Sequence, residues 1–202
     1  MAGRPAPNSV SNSVSSWLRE AEPDHAANRI LDAAEKAFVE SGVSAAGMAE
    51  IAEAAGCSRG TLYRYFPNRH ELHLAYVNRA AFRMVDRLRA ELAPIDDARE
   101  RLVEGILCAV REVRSHPGTA VWFAPGAAEI AARMSRSSEV IDRLTTTFVS
   151  ELLGGKARDR ESRLRTRWLV RVIVSFLALP AASAAEERAL VERFAAPALL
   201  AG

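Results

Sequence analysis

Apart from Asn68, six side chains between positions 59 and 69 can donate hydrogen bonds, and all but one of the six have a planar or cationic head. They are Arg59, Thr61, Tyr63, Arg64, Tyr65 and Arg69. No carboxylate occurs from position 54 to position 70. Arginine and tyrosine donate to phosphate oxygens, and an arginine can also bind the edge of a guanine with two hydrogen bonds. The stretch is therefore suited to contact the phosphates and bases of DNA.

Local signals place these donors on a short helix. Gly56 follows an apolar periodic segment that begins at Met48, and glycine readily enters the left-handed region in which helices often end. Ser58 is a good N-cap, which predicts a second helix from about Arg59 to Phe66. Pro67 has no amide with which to continue that helix. The predicted order is helix, turn, helix.

The two faces of this second helix differ. Leu62 and Phe66 are spaced i and i+4 and are expected to point inward. Gly60 costs about 1 kcal/mol relative to alanine inside a helix, which is understandable if the backbone there lies close to another molecule such as a DNA strand. Asn68 then opens a long third helix, with Glu71 three residues later as in a capping box.

About a quarter of the chain resembles in detail the DNA-binding domain of the TetR family of bacterial transcriptional regulators. The residues that carry the resemblance are Arg29-Ile30-Leu31-Asp32-Ala33-Ala34, Phe38, Gly42, Ile51-Ala52, Ala55-Gly56, Ser58, Gly60-Thr61-Leu62-Tyr63, Tyr65-Phe66 and Leu72. The resemblance implies an all-α fold of about nine helices. It also implies a three-helix helix-turn-helix DNA-binding domain at residues 24–75 and a helical effector-binding and dimerisation domain at residues 76–202.

The resemblance assigns DNA contacts to Ser58, Arg59, Gly60, Thr61, Tyr63, Arg64, Tyr65 and Arg69. It implies that Tyr63, Tyr65 and Arg69 hold phosphates, and that Arg59 or Arg64 reaches a base edge. Gly47 stands where the family more often has a threonine or serine that caps the second helix and touches phosphate. One backbone contact is therefore expected to be missing.

Composition limits the other possibilities. The 202 residues carry a net charge of only +2, so DNA affinity must come from where the cations are placed. Cys57 and Cys108 show no disulfide or metal spacing. The longest apolar stretch, Val172 to Ala182, is far too short to span a membrane, and we expect a cytoplasmic protein. No nucleophile–base set, metal cluster or phosphate loop occurs, so neither an enzyme nor a cofactor is expected.

Apolar periodicity predicts the remaining helices. The first begins after Asp24, its N-cap, and ends at Ser41. The others are Arg69 to Leu92, Ala98 to Arg114, a short piece from Gly118 to Ala124, Ala127 to Leu153, Arg163 to Leu179 and Glu186 to Leu200. The helix from Ala127 to Leu153 is either continuous or broken at its serines. The helix from Arg163 to Leu179 is apolar almost all round and must be covered on every side. In the family the last two helices form a four-helix dimer interface, which here implies Trp168, Val172, Phe176, Leu179, Leu190 and Phe194.

A pocket for a small apolar or aromatic effector is expected between these helices, although the same residues could be plain core. The candidate lining residues are Leu107, Arg111, Trp122, Phe123, Ile130, Met134, Phe148 and Trp168. Arg111, Arg133 or Thr147 would orient the polar end of the ligand.

Three further patterns have alternative interpretations. His70 and His73 could share a metal, but no third ligand is evident and solvated or phosphate-near histidines are favoured. The basic run from Lys156 to Arg167 is more typical of a solvated loop than of a second DNA site. Residues 1–23 are predicted to be a disordered tail, although Arg4 and Arg19 also permit an arm in the minor groove.

The sequence thus predicts a TetR-like repressor that binds a near-palindromic operator as a homodimer and is released by a small molecule. An effector-independent DNA-binding protein and an activator with the same DNA-binding head remain open. A small all-α enzyme is the remote alternative.

Overall fold

The computed structural model describes residues 25–152 and 160–200, and all of their regular structure is helical. The helices are α1 (His25–Ser41), α2 (Met48–Ala54), α3 (Arg59–Tyr65), α4 (Arg69–Leu92), α5 (Ala98–Ser115), α6 (Pro117–Ala120, followed by a 3-10 turn Val121–Phe123), α7 (Ala128–Ser137), α8 (Glu139–Leu152), α9 (Arg160–Ala178) and α10 (Ala184–Leu190, a π turn Val191–Ala195 and Ala196–Leu200). The all-α prediction is confirmed. The described residues form ten helices rather than about nine, because the predicted helix from Ala127 to Leu153 is broken.

Helices α1 to α3 form the N-terminal helix-turn-helix unit, and the local signals act as expected. Gly42 ends α1 with φ 86°, and Gly56 lies in the turn after α2 with φ 62°. The Ser58 hydroxyl accepts a hydrogen bond from the Thr61 amide at 3.0 Å. Each of these residues satisfies or redirects backbone groups that a helix end would leave unpaired.

The break between α7 and α8 lies at Ser138. Its hydroxyl oxygen accepts a hydrogen bond from the Ile141 amide at 3.0 Å, which caps α8. The same hydroxyl donates to Asn78 Oδ1 of α4 at 2.7 Å. Because Ser138 is buried, these two bonds fix the corner between α7 and α8 against the long helix α4.

Two hydrophobic clusters organise the molecule. The first joins α1–α3 to the start of α4 and continues to Trp122 and Met134. The second lies in the C-terminal domain between α5, α8, α9 and α10, around Ile106 and Leu169. Helix α4 runs from the first cluster along the second, so it links helices α1–α3, called the head, to helices α5–α10, called the body.

Some predicted features fall outside the described residues. They are the tail at residues 1–23, the cap at Asp24, the end of the broken helix at Gly154-Gly155, and the basic residues Lys156 and Arg158. Within the described part of the chain, no helix is long and apolar enough to cross a membrane.

Candidate nucleic-acid interface and ligand cavity

One face of α3 is buried and the opposite face is open. Leu62 is fully buried and Phe66 nearly so, which holds the helix against α1 and α2. Arg59 and Arg64 are exposed, and the Tyr63 side chain is 47% exposed. A large aromatic side chain left this open next to two guanidinium groups forms a surface of donors with no carboxylate among them.

Two of the residues predicted to contact DNA also make contacts within the chain. The Arg64 guanidinium lies over the Tyr65 ring, 5.3 Å from its centroid, in a cation–π contact. The half-buried Arg69 donates a hydrogen bond to the Ala46 carbonyl. Arg69 therefore fastens the start of α4 to the loop before α2.

The glycines of this region leave room for another molecule. A Cβ at Gly60 would meet only the Ser58 hydroxyl, at 3.8 Å, so the chain itself does not require glycine there. Gly47 has no side chain to cap α2, but its amide donates to the Glu50 carboxylate at 3.3 Å. This bond satisfies the amide of Gly47 itself, whereas no side chain caps the first-turn amides of α2.

Two adjoining cavities lie beside α4. Lobe 1, of about 190 Å³, lies between the head and the body and includes Trp122 and Phe123 in its wall. Lobe 2, of about 320 Å³, lies further along α4 and includes Phe148 and Thr147. The other predicted pocket residues line neither lobe; they are Leu107, Arg111, Ile130, Arg133, Met134 and Trp168.

These residues are absent from the lobes for physical reasons. Met134 is fully buried in the first hydrophobic cluster. Arg111 pairs with Glu91 at 2.5 Å on the surface. Trp168 is 46% exposed on the outer face of α9. Aromatic and apolar residue types identify burial in general, but they do not distinguish a filled core or an outer face from a cavity wall.

Glu35 is the residue of α1 that reaches lobe 1. Its carboxylate lies 3.5 Å from the Arg79 guanidinium and 3.8 Å from His116 Nε2. Burial raises the pKa of Tyr76 well above its usual range, and the neighbouring Glu35 carboxylate, to which Tyr76 is hydrogen-bonded, raises it further. A side chain of the head is thus tied to α4 and to the body at the cavity wall.

His73 is buried in an aromatic cluster at the same junction. Its ring meets Phe38 at 5.3 Å and Trp122 at 5.1 Å, both edge-on. Burial lowers its pKa to about 4, with further contributions from the positive charges of Arg69 and Arg133. The expectation of a solvated or phosphate-near histidine is therefore wrong for His73, whereas His70 is exposed.

A row of apolar side chains remains exposed on α9 and α10. Trp168 is 46%, Leu190 37% and Phe194 68% exposed, and Leu179 just beyond α9 is 76% exposed. Val172 is buried and Phe176 half-buried within the subunit. The predicted interface residues therefore divide into four that are open to a partner and two that support them from within.

These features match known regulators. The family model "Bacterial regulatory proteins, tetR family" matches residues 30–76. An uncharacterised HTH-type transcriptional regulator of Mycobacterium tuberculosis is 40% identical over 181 residues, which cover 90% of this chain and 89% of the relative. The chain belongs to the TetR family. Regulators of this family bind DNA and form dimers, and they are not enzymes.

Other TetR-family proteins are similar over shorter or more distant matches. The HTH-type transcriptional activator FasR of Mycolicibacterium smegmatis is 40% identical over 79 residues, or 39% of this chain and 36% of FasR. The structure of the TetR family repressor AlkX from Dietzia, implicated in biodegradation of n-alkanes, is 26% identical. It superposes with a TM-score of 0.63 over 86% of this chain and 94% of AlkX.

The TetR-family head–body junction contains functional candidates that the sequence did not reveal. Glu35 was not recognised and His73 was expected to be solvated or near a phosphate, because their partners lie far along the chain and neither residue breaks the helical pattern. Gly118 lies against the same groups: a Cβ there would lie 2.7 Å from a Glu35 carboxylate oxygen and would also collide with the Tyr76 hydroxyl. Within the described residues, no group of three or more histidine, cysteine or acidic side chains could hold a metal ion.

Proposed function

We propose that this protein is a repressor that binds a near-palindromic operator as a homodimer, acts in the cytoplasm and is released by a small effector. The observation that carries the proposal is the open face of α3. Arg59, Tyr63 and Arg64 are exposed beside Gly60, where a DNA strand can approach closely. We assign DNA binding to residues 24–75, and effector binding and dimerisation to residues 76–202.

The homodimer is supported by the exposed apolar row on α9 and α10. Trp168, Leu179 and Phe194 are 46%, 76% and 68% exposed, which is unfavourable for a monomer surface. In a two-fold dimer the same row meets itself, since each patch faces its own copy. The two α3 helices then read two half-sites about one DNA turn, ~34–36 Å, apart.

Effector release is supported by the position of lobe 1. A ligand there touches Glu35 of the head, α4 and Trp122 of the body at the same time. Binding changes the angle of α4 and with it the separation of the two α3 helices. Only a ligand with different affinity for the two arrangements shifts the equilibrium between them.

Activation is the second candidate, and one observation favours it. FasR, which is named an activator, shares 40% identity with this chain over 79 residues. A transcription assay with the protein and its own promoter separates the two modes: a repressor lowers transcript yield and an activator raises it.

The primary test is the selection of random duplex DNA by the purified protein at near-physiological salt, followed by sequencing. Recovery of an inverted repeat with half-sites about one turn apart is expected. Binding without a recovered motif, lost steeply as salt rises, is contact with phosphate alone and contradicts the proposal.

A further inference from the structure

The two cavity lobes adjoin each other along α4, and together they are called the channel. They share six wall residues, which are Ala81, Met84, Ala109, Ile141, Thr145 and Ile173. The wall runs from Tyr76 at the head to Leu92 near the end of α4, which is about 24 Å at the helical rise of ~1.5 Å per residue. A ligand that occupied both lobes, of about 190 and about 320 Å³, would lie along α4 over this length in a narrow space rather than in a round pocket.

The channel wall is apolar over most of its length. Helix α4 contributes Val77, Met84 and Leu88, and α9 contributes Val174 and Ile173. Such walls favour a ligand that is itself hydrocarbon, because the burial of apolar surface drives its entry. A narrow apolar channel selects a linear chain over a fused or branched ring system.

Charged groups are concentrated at the lobe 1 end. Arg79, Arg83 and Arg87 follow each other at intervals of four residues on α4 and all line lobe 1. Two carboxylates also line this lobe, and both are paired: Glu35 lies 3.5 Å from Arg79, and Glu112 lies 2.8 Å from Arg87. Arg79 also pairs with Asp32 at 2.7 Å. Within the described residues, no carboxylate pairs with Arg83. Its guanidinium therefore keeps its hydrogen-bonding capacity for an acidic ligand group.

The lobe 2 end is less suited to an anion. Arg89 lines it but lies 3.9 Å from Asp86, and the Glu151 carboxylate lines the same lobe. Arg101 donates through Nε to the Ile95 carbonyl at 2.7 Å. The charges at this end are thus offset or already bonded.

We propose that the channel binds a long, linear aliphatic acid, with its carboxylate at Arg83 and its hydrocarbon chain running past Met84 into lobe 2. This ligand class rests on the effector-responsive function proposed above and specifies it. The carboxylate then lies at the head–body junction, beside the ion pairs that Arg79 makes with α1.

The test is calorimetric titration of the purified full-length protein, without DNA, with hexanoic, decanoic and hexadecanoic acids below the concentrations at which they aggregate. Affinity is expected to rise with chain length, by up to about fourfold per added methylene. The methyl ester of the best acid should bind more weakly. Equal affinity for hexanoic and hexadecanoic acids would overturn the extended binding mode.

Variants locate the two ends of the ligand. Arg83→Gln should weaken binding by about two- to fivefold, because the exposed arginine is screened by solvent, and added salt should reduce the difference. Arg89→Gln, on the same helix at the other lobe, is the matched control. Weaker binding by Arg89→Gln with Arg83→Gln unchanged would overturn the placement of the carboxylate.

Thr147→Trp fills part of lobe 2 from an exposed position on α8. It should weaken the binding of hexadecanoic acid and leave the binding of hexanoic acid unchanged. Thr147→Val, which is of similar size to threonine, is the control and should leave the binding of both acids unchanged. DNA binding is measured on the same preparation. If no acid binds while an operator is still selected, the proposed ligand class is wrong and the proposed operator binding is supported. If acids bind with the expected length dependence but no operator is selected, the proposed operator binding is wrong and the proposed ligand class is supported.

Discussion

Tyr76 of α4 and Trp122 of the 3-10 turn lie face to face, with ring centroids 5.7 Å apart and planes inclined by 5°. Phe38 of α1 meets both rings edge-on, at 5.4 Å in each case. The head, the connecting helix and the body therefore meet in one aromatic cluster. Interiors packed in this way move between discrete arrangements rather than deform continuously, so we expect a ligand that displaces Trp122 to displace α1 as well.

Trp122→Ala should lower the free energy of unfolding by about 3–5 kcal/mol, because it removes a large buried ring and leaves a cavity between head and body. Urea denaturation followed by circular dichroism measures the change. Val39→Ala, at an exposed position of α1, is the control and should stay within about 0.5 kcal/mol of wild type. Similar losses for both variants would show that Trp122 packs no better than a surface residue.

Acidification should destabilise the protein through His73. Burial lowers the pKa of His73 from its ordinary value of 6.5 to about 4 in the folded state, so the unfolded chain binds the proton more readily. The stability contributed by neutral His73 is complete above pH 6.5 and falls as the pH drops towards 4, by on the order of 3 kcal/mol. Denaturation of wild type and His73→Phe across this window isolates the effect. Parallel pH profiles for the two proteins would exclude it.

Gly60→Ala should separate folding from DNA binding. The added methyl group meets only the Ser58 hydroxyl, and alanine favours the helix, so stability should rise by up to about 1 kcal/mol. Operator affinity should fall, because the methyl group lies where the DNA strand approaches. Thermal unfolding and fluorescence anisotropy on the selected operator give the two values. Undiminished affinity would remove Gly60 from the interface.

The exposed donors of α3 should act in two ways. Tyr63→Phe should weaken binding to all DNA sequences alike, because a phosphate contact carries no base information. Arg64→Ala should also relax the preference at one base pair, at a cost of ~1–3 kcal/mol, if its guanidinium binds a guanine. Competition between the operator and single-base variants measures both. If Arg64→Ala weakens every sequence equally, Arg59 is the remaining candidate for base readout.

The outer row of α9 and α10 should control assembly. Trp168→Ala should weaken self-association by at least about 2 kcal/mol, because exposed tryptophans are typical interface hot spots. Phe194→Glu should give monomers, since it places a charge in an apolar contact. Sedimentation velocity over a range of concentrations reports both effects. Val39→Glu, an exposed apolar position on α1, is the matched control and should remain dimeric.

Local chemistry made much of the fold predictable. Gly56, Ser58 and Asn68 act through their own backbone or their immediate neighbours, so their roles were visible in the sequence. Asn68 Oδ1 accepts a hydrogen bond from the Glu71 amide at 2.9 Å, and α4 spans Arg69–Leu92 as predicted. The break at Ser138 was only one of two possibilities, because it also depends on Asn78 of another helix.

Long-range packing explains what the sequence did not reveal. His73 is buried because Trp122, 49 positions later, closes over it. Trp168 was assigned both to the pocket and to the dimer interface, and only the orientation of α9 separates the two. The π turn at Val191–Ala195 adds a residue to one turn of α10, and no local residue type signals such an insertion.

The two cysteines differ in reactivity, so one of them can carry a label for distance measurements. Burial, together with a hydrogen bond to Glu91, raises the pKa of the Cys108 thiol to about 12, so this thiol stays protonated and unreactive towards alkylating probes. Cys57 is partly exposed in the turn before α3. We therefore expect a maleimide spin label to attach at Cys57, beside α3, without prior mutagenesis. In the dimer, the distance between the two labels reports how far apart the DNA-reading heads lie, with and without a bound acid.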